Sequence, residues 1–292
     1  MKITITGGSG RIARWTCERL LRDGHEVLLF DRESPPAVAH AGQLRGVRTL
    51  RGDVMDSSAC LEACRGADAV LHLAGILVPQ ADTFAVNTLG TWNVLEAARQ
   101  VGVRRVVLAS SINVTGIGWH VSRVPFERVR YLPLDEDHPL SPEDSYSLSK
   151  LCNEETAAAL GRAHGIQTAA LRFAAVRDPA QLEAFARDRP AATFERNERG
   201  YQGIWSYLDV RDAAQACARA LTAESIPTVG AYFIAAPDTL ACEPTMSLLQ
   251  RFIPEWVPLV RSLSGRAGLF STVRAEQAFG FRAEHGWAKT AD

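Results

Sequence analysis

From residue 2 to residue 172 the chain alternates apolar, strand-like runs with helical patterns, and that alternation limits the possible folds more than any other feature. Residues 2–6 read as a strand, 10–22 as a helix, and 26–30 and 47–50 as strands. A short helix near 57–64, a strand at 69–73, a long helix near 84–101 and a strand at 104–109 follow. A helix running to about Ala163 and a strand at 167–172 complete the series. Strands separated by helices at this spacing pair in parallel, because each helix carries the chain back across a face of the sheet. The expectation is an α/β chain built on a doubly wound parallel sheet.

Two stretches break the rhythm. Residues 116–144 hold Pro125, Pro133, Pro139 and Pro142 and little regular pattern. Loops of that length in compact domains are commonly functional. After Arg172 the alternation becomes irregular. The spacing predicts a main domain over residues 1–173, to which 204–222 return as a strand end and a helix. Residues 174–203 and 223–292 are expected to interleave into a small substrate-binding lobe over the carboxyl ends of the strands.

The first strand runs straight into Thr6-Gly-Gly-Ser-Gly-Arg-Ile-Ala13. Gly7 permits the tight turn, Gly10 lets backbone approach a pyrophosphate, and Ala13 allows close helix–strand packing. The amides of Arg11 and Ile12 then open a helix whose positive end suits an anion. Asp31 ends the second strand, about 20 residues after the glycine turn, where a carboxylate accepts hydrogen bonds from ribose hydroxyls and repels a 2′-phosphate. That points to a Rossmann-type domain binding NAD rather than NADP. Arg32, next door, could hold a 2′-phosphate and keeps NADP as the alternative; Asp31 could also serve as a turn cap.

The formal net charge of −1 and the 47% hydrophobic content describe an ordinary globular protein and give no hint of a nucleic acid or an acidic membrane as partner. No apolar run reaches the roughly 18 residues a membrane span needs. Met-Lys-Ile-Thr-Ile-Thr-Gly enters a strand at once with no signal peptide before it, so the cytoplasm is the expected compartment. Cys60 and Cys64 could share one helix face, but as small core residues; the histidines make no ligand set, and no metal site is expected.

A further pair concerns proton transfer. The chain has three lysines, Lys2, Lys150 and Lys289. One of them stands a helical turn after a tyrosine, in Ser145-Tyr-Ser-Leu-Ser-Lys150. A phenol with a pKa near 10 is a poor base at neutral pH, and a neighbouring ammonium stabilises its phenolate.

With these motifs in order, the chain resembles the extended short-chain dehydrogenase/reductase family, the NAD-dependent epimerase/dehydratase group. The glycine turn resembles the family's cofactor loop. Gly52-Asp53-Val54 resembles its adenine-contacting segment, with Asp53 toward the adenine amino group. His72-Leu73-Ala74-Gly75 resembles the strand end whose backbone lies against the cofactor ribose. Val86-Asn87-Thr-Leu-Gly90-Thr91 is similar to the start of its long helix. Ala109-Ser-Ser-Ile-Asn-Val-Thr-Gly116 is similar to its fifth-strand motif, which places the family's catalytic hydroxyl on Ser111. Tyr146 and Lys150 take the proton-transfer positions. The resemblance implies that Phe173 and Asn87 also belong to the cofactor site, that Lys150 holds the nicotinamide ribose, and that the protein is a homodimer, packed through the helices near 84–101 and 145–163.

The departures are as informative. Leu171-Arg-Phe-Ala-Ala-Val176 has Ala175 where the family has an asparagine that helps hold a nucleotide-sugar diphosphate. Trp205 stands where the family has a diphosphate-clamping arginine. A substrate carrying two phosphates needs such donors. The expected substrate is therefore small and lacks a nucleotide: a sugar, uronate, lactone or polycyclic metabolite. The motif's last position before Gly116 is Thr115 where tyrosine is usual, and Ile112 follows Ser111 where a dehydratase would carry an acid. Candidate substrate residues are Ser111, Asn113, Ala175, Arg177 and Trp205, with Trp119 and His120 from the long loop. The same loop's Arg123, Phe126, Arg128 and Arg130 could cover the cleft or form a solvated face, and Arg172 is expected to pair structurally. The leading expectation is an NAD-dependent oxidoreductase, with an NAD-dependent epimerase and a non-catalytic dinucleotide-binding module as alternatives.

Overall fold

A computed structural model describes residues 1–33, 46–117, 128–187 and 204–287. Its centre is β1 (Lys2–Thr6), where Ile3, Thr4, Ile5 and Thr6 are all buried. A strand buried on both faces needs helices on both, which is the habit of parallel sheets. β2 (Glu26–Asp31) and β3 (Val47–Arg51) lie to one side. β4 (Ala69–His72), β5 (Arg105–Ser111) and β6 (Gln167–Phe173) lie to the other. The order is β3-β2-β1-β4-β5-β6, closed by a seventh strand, and every neighbouring pair runs parallel.

Side chains alternate between two core layers, as the period of a strand requires. Leu71 and Val107 join Ile3 and Ile5 on the side of α1 (Arg11–Arg22), whose Ala13, Cys17 and Leu20 are buried there. Val70, Val106 and Leu108 face the opposite layer. That layer takes α2 (Ser57–Cys64), α3 (Thr83–Gln100) and α4 (Ser145–His164). Cys60 and Cys64 are buried there and burial pushes both thiols up to about 12, as inert core residues require. The start of α4 matters for the site. Asp144 accepts from the Ser147 amide at 2.9 Å and from its hydroxyl at 2.5 Å, a cap that stabilises a helix by about 1 kcal/mol. Gly165, at φ +70°, ends the same helix.

Beyond β6 the chain leaves the sheet. β7 (Ala175–Arg177) pairs in parallel with β8 (Tyr207–Asp209), α5 (Pro179–Arg187) follows β7, and α6 (Val210–Thr222) returns to pack on α1. One segment departs from the sequence reading. β9 (Val229–Ile234), within the stretch expected to form part of the lobe, pairs with β6 and is the seventh strand of the main sheet. Its run Val229-Gly-Ala-Tyr-Phe-Ile234 is short and partly exposed at its start, so its pattern alone does not separate it from a lobe strand. α7 (Thr245–Phe252) and α8 (Val273–Phe279) complete the elements.

The described half of the long loop is anchored. Leu132 and Leu134 are fully buried and bridge to Val260 and Phe270. Glu136 accepts from the Phe233 amide at 2.7 Å. No helix among the described residues is long and apolar enough to cross a membrane.

Candidate active site

A cleft of about 950 Å³ lies over the carboxyl ends of the parallel strands, the place where open α/β sheets bind ligands. Its two walls differ in construction.

The first wall is backbone shaped by glycine. Gly7 has φ +69°, and a Cβ there would lie 2.7 Å from the Ala74 nitrogen. The Gly10 amide donates to the Gly7 carbonyl at 2.9 Å, closing the turn. α1 then begins without a side-chain cap and without an acidic residue in its first turn, which leaves its positive end for an anion. Arg11 and Ile12 line the cleft. The Arg11 side chain points to the second wall, donating to the Val176 carbonyl at 2.8 Å and pairing with Asp178 at 3.2 Å. Asp31 accepts from the Ser9 amide at 2.9 Å and the Glu33 amide at 3.2 Å. It therefore does cap a turn, yet it lines the cleft and each oxygen keeps a lone pair. Arg32, Asp53 and Val54 line the same end, and the Asp53 carboxylate accepts from the Met55 amide.

Leu73, Ala74 and Gly75 continue this wall. A Cβ on Gly75 would lie 2.9 Å from the Asn87 Oδ1. Asn87 itself stands behind the wall. Its amide is spent on the Ile76 amide and carbonyl and on the Ser149 hydroxyl. The sequence placed it in the cofactor site; its geometry makes it the clamp that shapes Gly75 and Ile76.

At the floor, β5 meets α4. Ser111, at the end of β5, accepts from the Asn113 amide at 3.2 Å, and its hydroxyl lies close enough to the Tyr146 phenol to favour the phenolate. Lys150 donates to the Ala109 carbonyl at 3.0 Å, and its Nζ sits 5.7 Å from the centre of the Tyr146 ring. All three side chains are at most 5% exposed and all line the cleft. The electrostatics correct one expectation. Burial pushes the Tyr146 phenol up to about 12, opposed by the Ser111 hydrogen bond and reinforced by Asp144. The same burial lowers Lys150 to about 8, opposed by Glu154. In the protein alone desolvation outweighs the stabilisation of phenolate that the spacing suggests.

The second wall is made of side chains from distant segments. Phe173 ends β6, and Ala174, Ala175, Val176 and Arg177 follow it along the cleft. Trp205 is 3% exposed, at φ +57° beside Ile204 at +47°, and its ring packs on Phe252. Non-glycine residues held in the left-handed region are uncommon and strained. Phe185 and Leu240 also line this wall; nothing in the sequence marked them, since α5 and the segment after β9 reach the cleft only through the tertiary fold. Asn113 is fully buried, lines the cleft, and neither of its amide atoms has a hydrogen-bond partner among the described residues. Trp119, His120, Arg123 and Phe126 lie outside the described residues. Arg128 pairs with Glu143 on the surface and Arg130 is exposed, and neither lines the cleft. Arg172 pairs with buried Glu154, as expected of a structural arginine.

These residues fit a dinucleotide: a glycine turn that a side chain would obstruct, an uncapped helix start, and a carboxylate at the end of β2. The class so defined is a nucleotide-binding α/β protein with a serine–tyrosine–lysine site. Residues 3–235 match the model of the NAD-dependent epimerase/dehydratase family, and the chain belongs to that family, within the extended short-chain dehydrogenases/reductases.

The chain is 38% identical over 123 residues to a 2-alkyl-3-oxoalkanoate reductase of Stenotrophomonas maltophilia, covering 41% of this chain and 36% of that protein. It is 31% identical over 174 residues to a uronate dehydrogenase of Pseudomonas putida, covering 59% and 60%. The matches thus span less than two thirds of these curated relatives. Among solved structures, a short-chain dehydrogenase/reductase superfamily protein of Agrobacterium tumefaciens with bound NAD superposes with a TM-score of 0.73 at 27% identity, over 100% of this chain and 95% of that one. A UDP-galactose 4-epimerase superposes with a TM-score of 0.68 at 25% identity, over 100% and 96%.

Proposed function

We propose that the protein is an NAD-dependent oxidoreductase acting at a secondary alcohol or ketone of a small substrate without a nucleotide. The observation that carries this reading is the Ser111–Tyr146–Lys150 group at the floor of a cleft whose other end is a dinucleotide cradle. Bound NAD supplies the hydride acceptor, and its reduced form the donor. Tyr146 takes the hydroxyl proton in oxidation and returns it to the carbonyl oxygen in reduction. Ser111 holds that oxygen in line with the phenol. Lys150, largely protonated at neutral pH, is placed to hold ribose hydroxyls and to favour the phenolate. Phe173, Leu73 and Ala74 keep water from the reacting carbon.

The second wall supports a substrate without a diphosphate. Ala175 and Trp205 supply no positive charge there, and the Trp205 ring is buried against Phe252. Arg177 and the Asn113 amide are left to bind a carboxylate or hydroxyls. Uronate dehydrogenase and 2-alkyl-3-oxoalkanoate reductase, both similar to this chain, are named for substrates of that kind. Asp31 favours NAD over NADP.

Purified protein with NAD should produce NADH absorbance with a uronic acid, a 3-hydroxyalkanoate or a 3-hydroxysteroid, and none with UDP-glucose. Turnover of UDP-glucose in preference to all three would overturn the substrate reading. Whole-chain likeness to a UDP-galactose 4-epimerase favours one second reading, an epimerase. That reading requires inversion of the substrate with no net NADH.

The protein is further proposed to be a cytoplasmic homodimer. Its six cysteines are free thiols, which a reducing compartment preserves. Phe84, Leu89 and Trp92 on α3 and Leu148 on α4 are each 41–47% exposed, an apolar face that a second copy would cover. Light scattering at micromolar concentration should return twice the monomer mass, and Trp92→Glu should return the monomer.

A further inference from the structure

Three consecutive residues of β5 meet three successive turns of α4. Ser111 lies beside the Tyr146 phenol, the Ala109 carbonyl accepts from Lys150, and between them the Ser110 hydroxyl donates to the Glu154 carboxylate at 2.5 Å. The first two contacts belong to the proton-transfer pair. The third has no part in that chemistry. Glu154 stands four residues after Lys150 on the same helix face, and it is 8% exposed. Arg172, paired with Ser110 in the β5–β6 register, closes the group from the next strand with bonds of 3.0 and 2.7 Å to the two Glu154 oxygens.

Stability alone does not account for this arrangement. A buried ion pair contributes little compared with apolar side chains of the same volume, because both charges are taken out of water. Among the described residues the pair is also incompletely satisfied: the Arg172 Nη1 has no hydrogen-bond partner there, and its guanidinium rests over the Phe233 ring at 5.2 Å. What the group does have is a place one helical turn along α4 from Lys150, a buried cation whose only hydrogen bond to the protein among the described residues is to the Ala109 carbonyl.

We propose that Glu154 is a positioning residue of the active site, a buried counter-charge on α4 that keeps Lys150 in its ammonium form and fixes the Lys150 side chain against β5. It touches neither substrate nor cofactor and acts through Lys150. The other titratable groups around Lys150 cannot serve. Tyr146 is a neutral phenol. His72, on β4, is held neutral by burial and lies between the Thr6 and Thr91 hydroxyls. Arg172 faces Glu154 from β6, and Glu136 lies beyond Arg172 and is turned to the Phe233 amide and Arg274. Among the described residues Glu154 is thus the one carboxylate set to oppose the desolvation of Lys150. This assignment rests on Tyr146 and Lys150 being the proton-transfer pair.

The small number of lysines makes the test direct. Competitive acetylation of the full chain with acetic anhydride across pH 6–11, read peptide by peptide, gives the titration of Lys150, with exposed Lys2 as internal reference. Glu154→Gln should lower the Lys150 midpoint by about one pH unit and leave Lys2 unmoved, and Glu154→Asp should recover much of the shift. An unchanged Lys150 midpoint in folded E154Q would overturn the proposal. Should E154Q fail to fold, E154Q/R172M removes the Arg172 charge together with its partner carboxylate and is read in the same way. The labelling reports on Lys150 whether or not the enzyme turns over, so its failure is distinct from a failure of the catalytic assignment. If both hold, the pH profile of turnover moves with the labelling midpoint.

Discussion

The two walls of the cleft are built by different means. The cofactor wall is backbone: Gly7, Gly10, Gly75 and the start of α1, each within a few residues of a strand end. The substrate wall is side chains: Ala175, Arg177, Phe185, Trp205 and Leu240, drawn from β7, α5, the approach to β8 and the segment after β9. Backbone geometry tolerates few residue types, so the first wall is written in short motifs. Side chains on a scaffold can be exchanged freely, so the second wall can depart from a motif, as Ala175 and Trp205 do, or carry none, as Phe185 and Leu240 do. The floor, with the proposed Ser111–Tyr146–Lys150 group, lies between them and shares the character of the first, because β5 and α4 hold it in register.

The largest effect should come from the floor. Tyr146→Phe removes the phenol proposed to carry the proton and should lower kcat by about 10²–10⁴-fold, while NAD affinity changes little. Retained activity would remove the catalytic assignment and leave the non-catalytic dinucleotide-binding module as the better reading. Gly7→Ala tests the first wall. Its left-handed φ and the 2.7 Å approach to the Ala74 nitrogen should destabilise the turn by about 1–3 kcal/mol and weaken NAD binding in calorimetry. By contrast, Ala175→Ser on the second wall, where the backbone is extended, should leave NAD affinity unchanged. Equal losses in the two variants would dissolve the distinction between the walls.

The first wall should also be the acid-sensitive one. His72 sits behind it, bonded to Thr6 at 2.7 Å and Thr91 at 3.0 Å, with burial, and secondarily the Lys150 charge, lowering its pKa to about 3. Between that value and an unfolded pKa near 6.5 the unfolded chain binds one proton more than the folded one. Stability therefore rises with pH across this window and is lost as pH falls through it, by up to about 1.4 kcal/mol per pH unit. Urea titrations at pH 7, 6 and 5 should show the slope, and His72→Gln should flatten it. A wild-type slope equal to that of the variant would show that His72 is protonated in the fold.

The same contrast explains what was legible beforehand. The strand–helix alternation foretold the parallel sheet, because each βαβ unit is local and its period is visible. The glycine turn, Asp31 and Ser111 could be placed because their spacing from strand ends is short. β9 was read into the lobe because a short, half-exposed strand pairs with β6 across some 60 residues, and no local pattern records that partner. Asn87 was assigned to the cofactor for its motif, and only its hydrogen bonds show that it holds the backbone at Ile76, beside Gly75. Glu154 was within reach: it repeats the four-residue step from Tyr146 to Lys150, but its meaning depends on Ser110 and Arg172, which come from two other strands. Phe185 and Leu240 carried no signal at all.

The smallest effect, and the most discriminating for the second wall, belongs to Asn113. Its amide is buried with neither polar atom bonded to a described residue, and leaving such a group unpaired costs a fold about 1–3 kcal/mol. Asn113→Leu, of similar volume, should therefore raise the melting temperature. If the amide binds a substrate hydroxyl or carbonyl, the same change should raise KM about tenfold, the loss of one hydrogen bond of roughly 1.4 kcal/mol, with kcat and NAD affinity little altered. Stability and substrate affinity thus move in opposite directions at one position, which a purely structural asparagine would not produce. A rise in melting temperature with KM unchanged would take Asn113 out of the proposed substrate wall and leave Arg177 and Ser206, which also line the cleft, to be tested next.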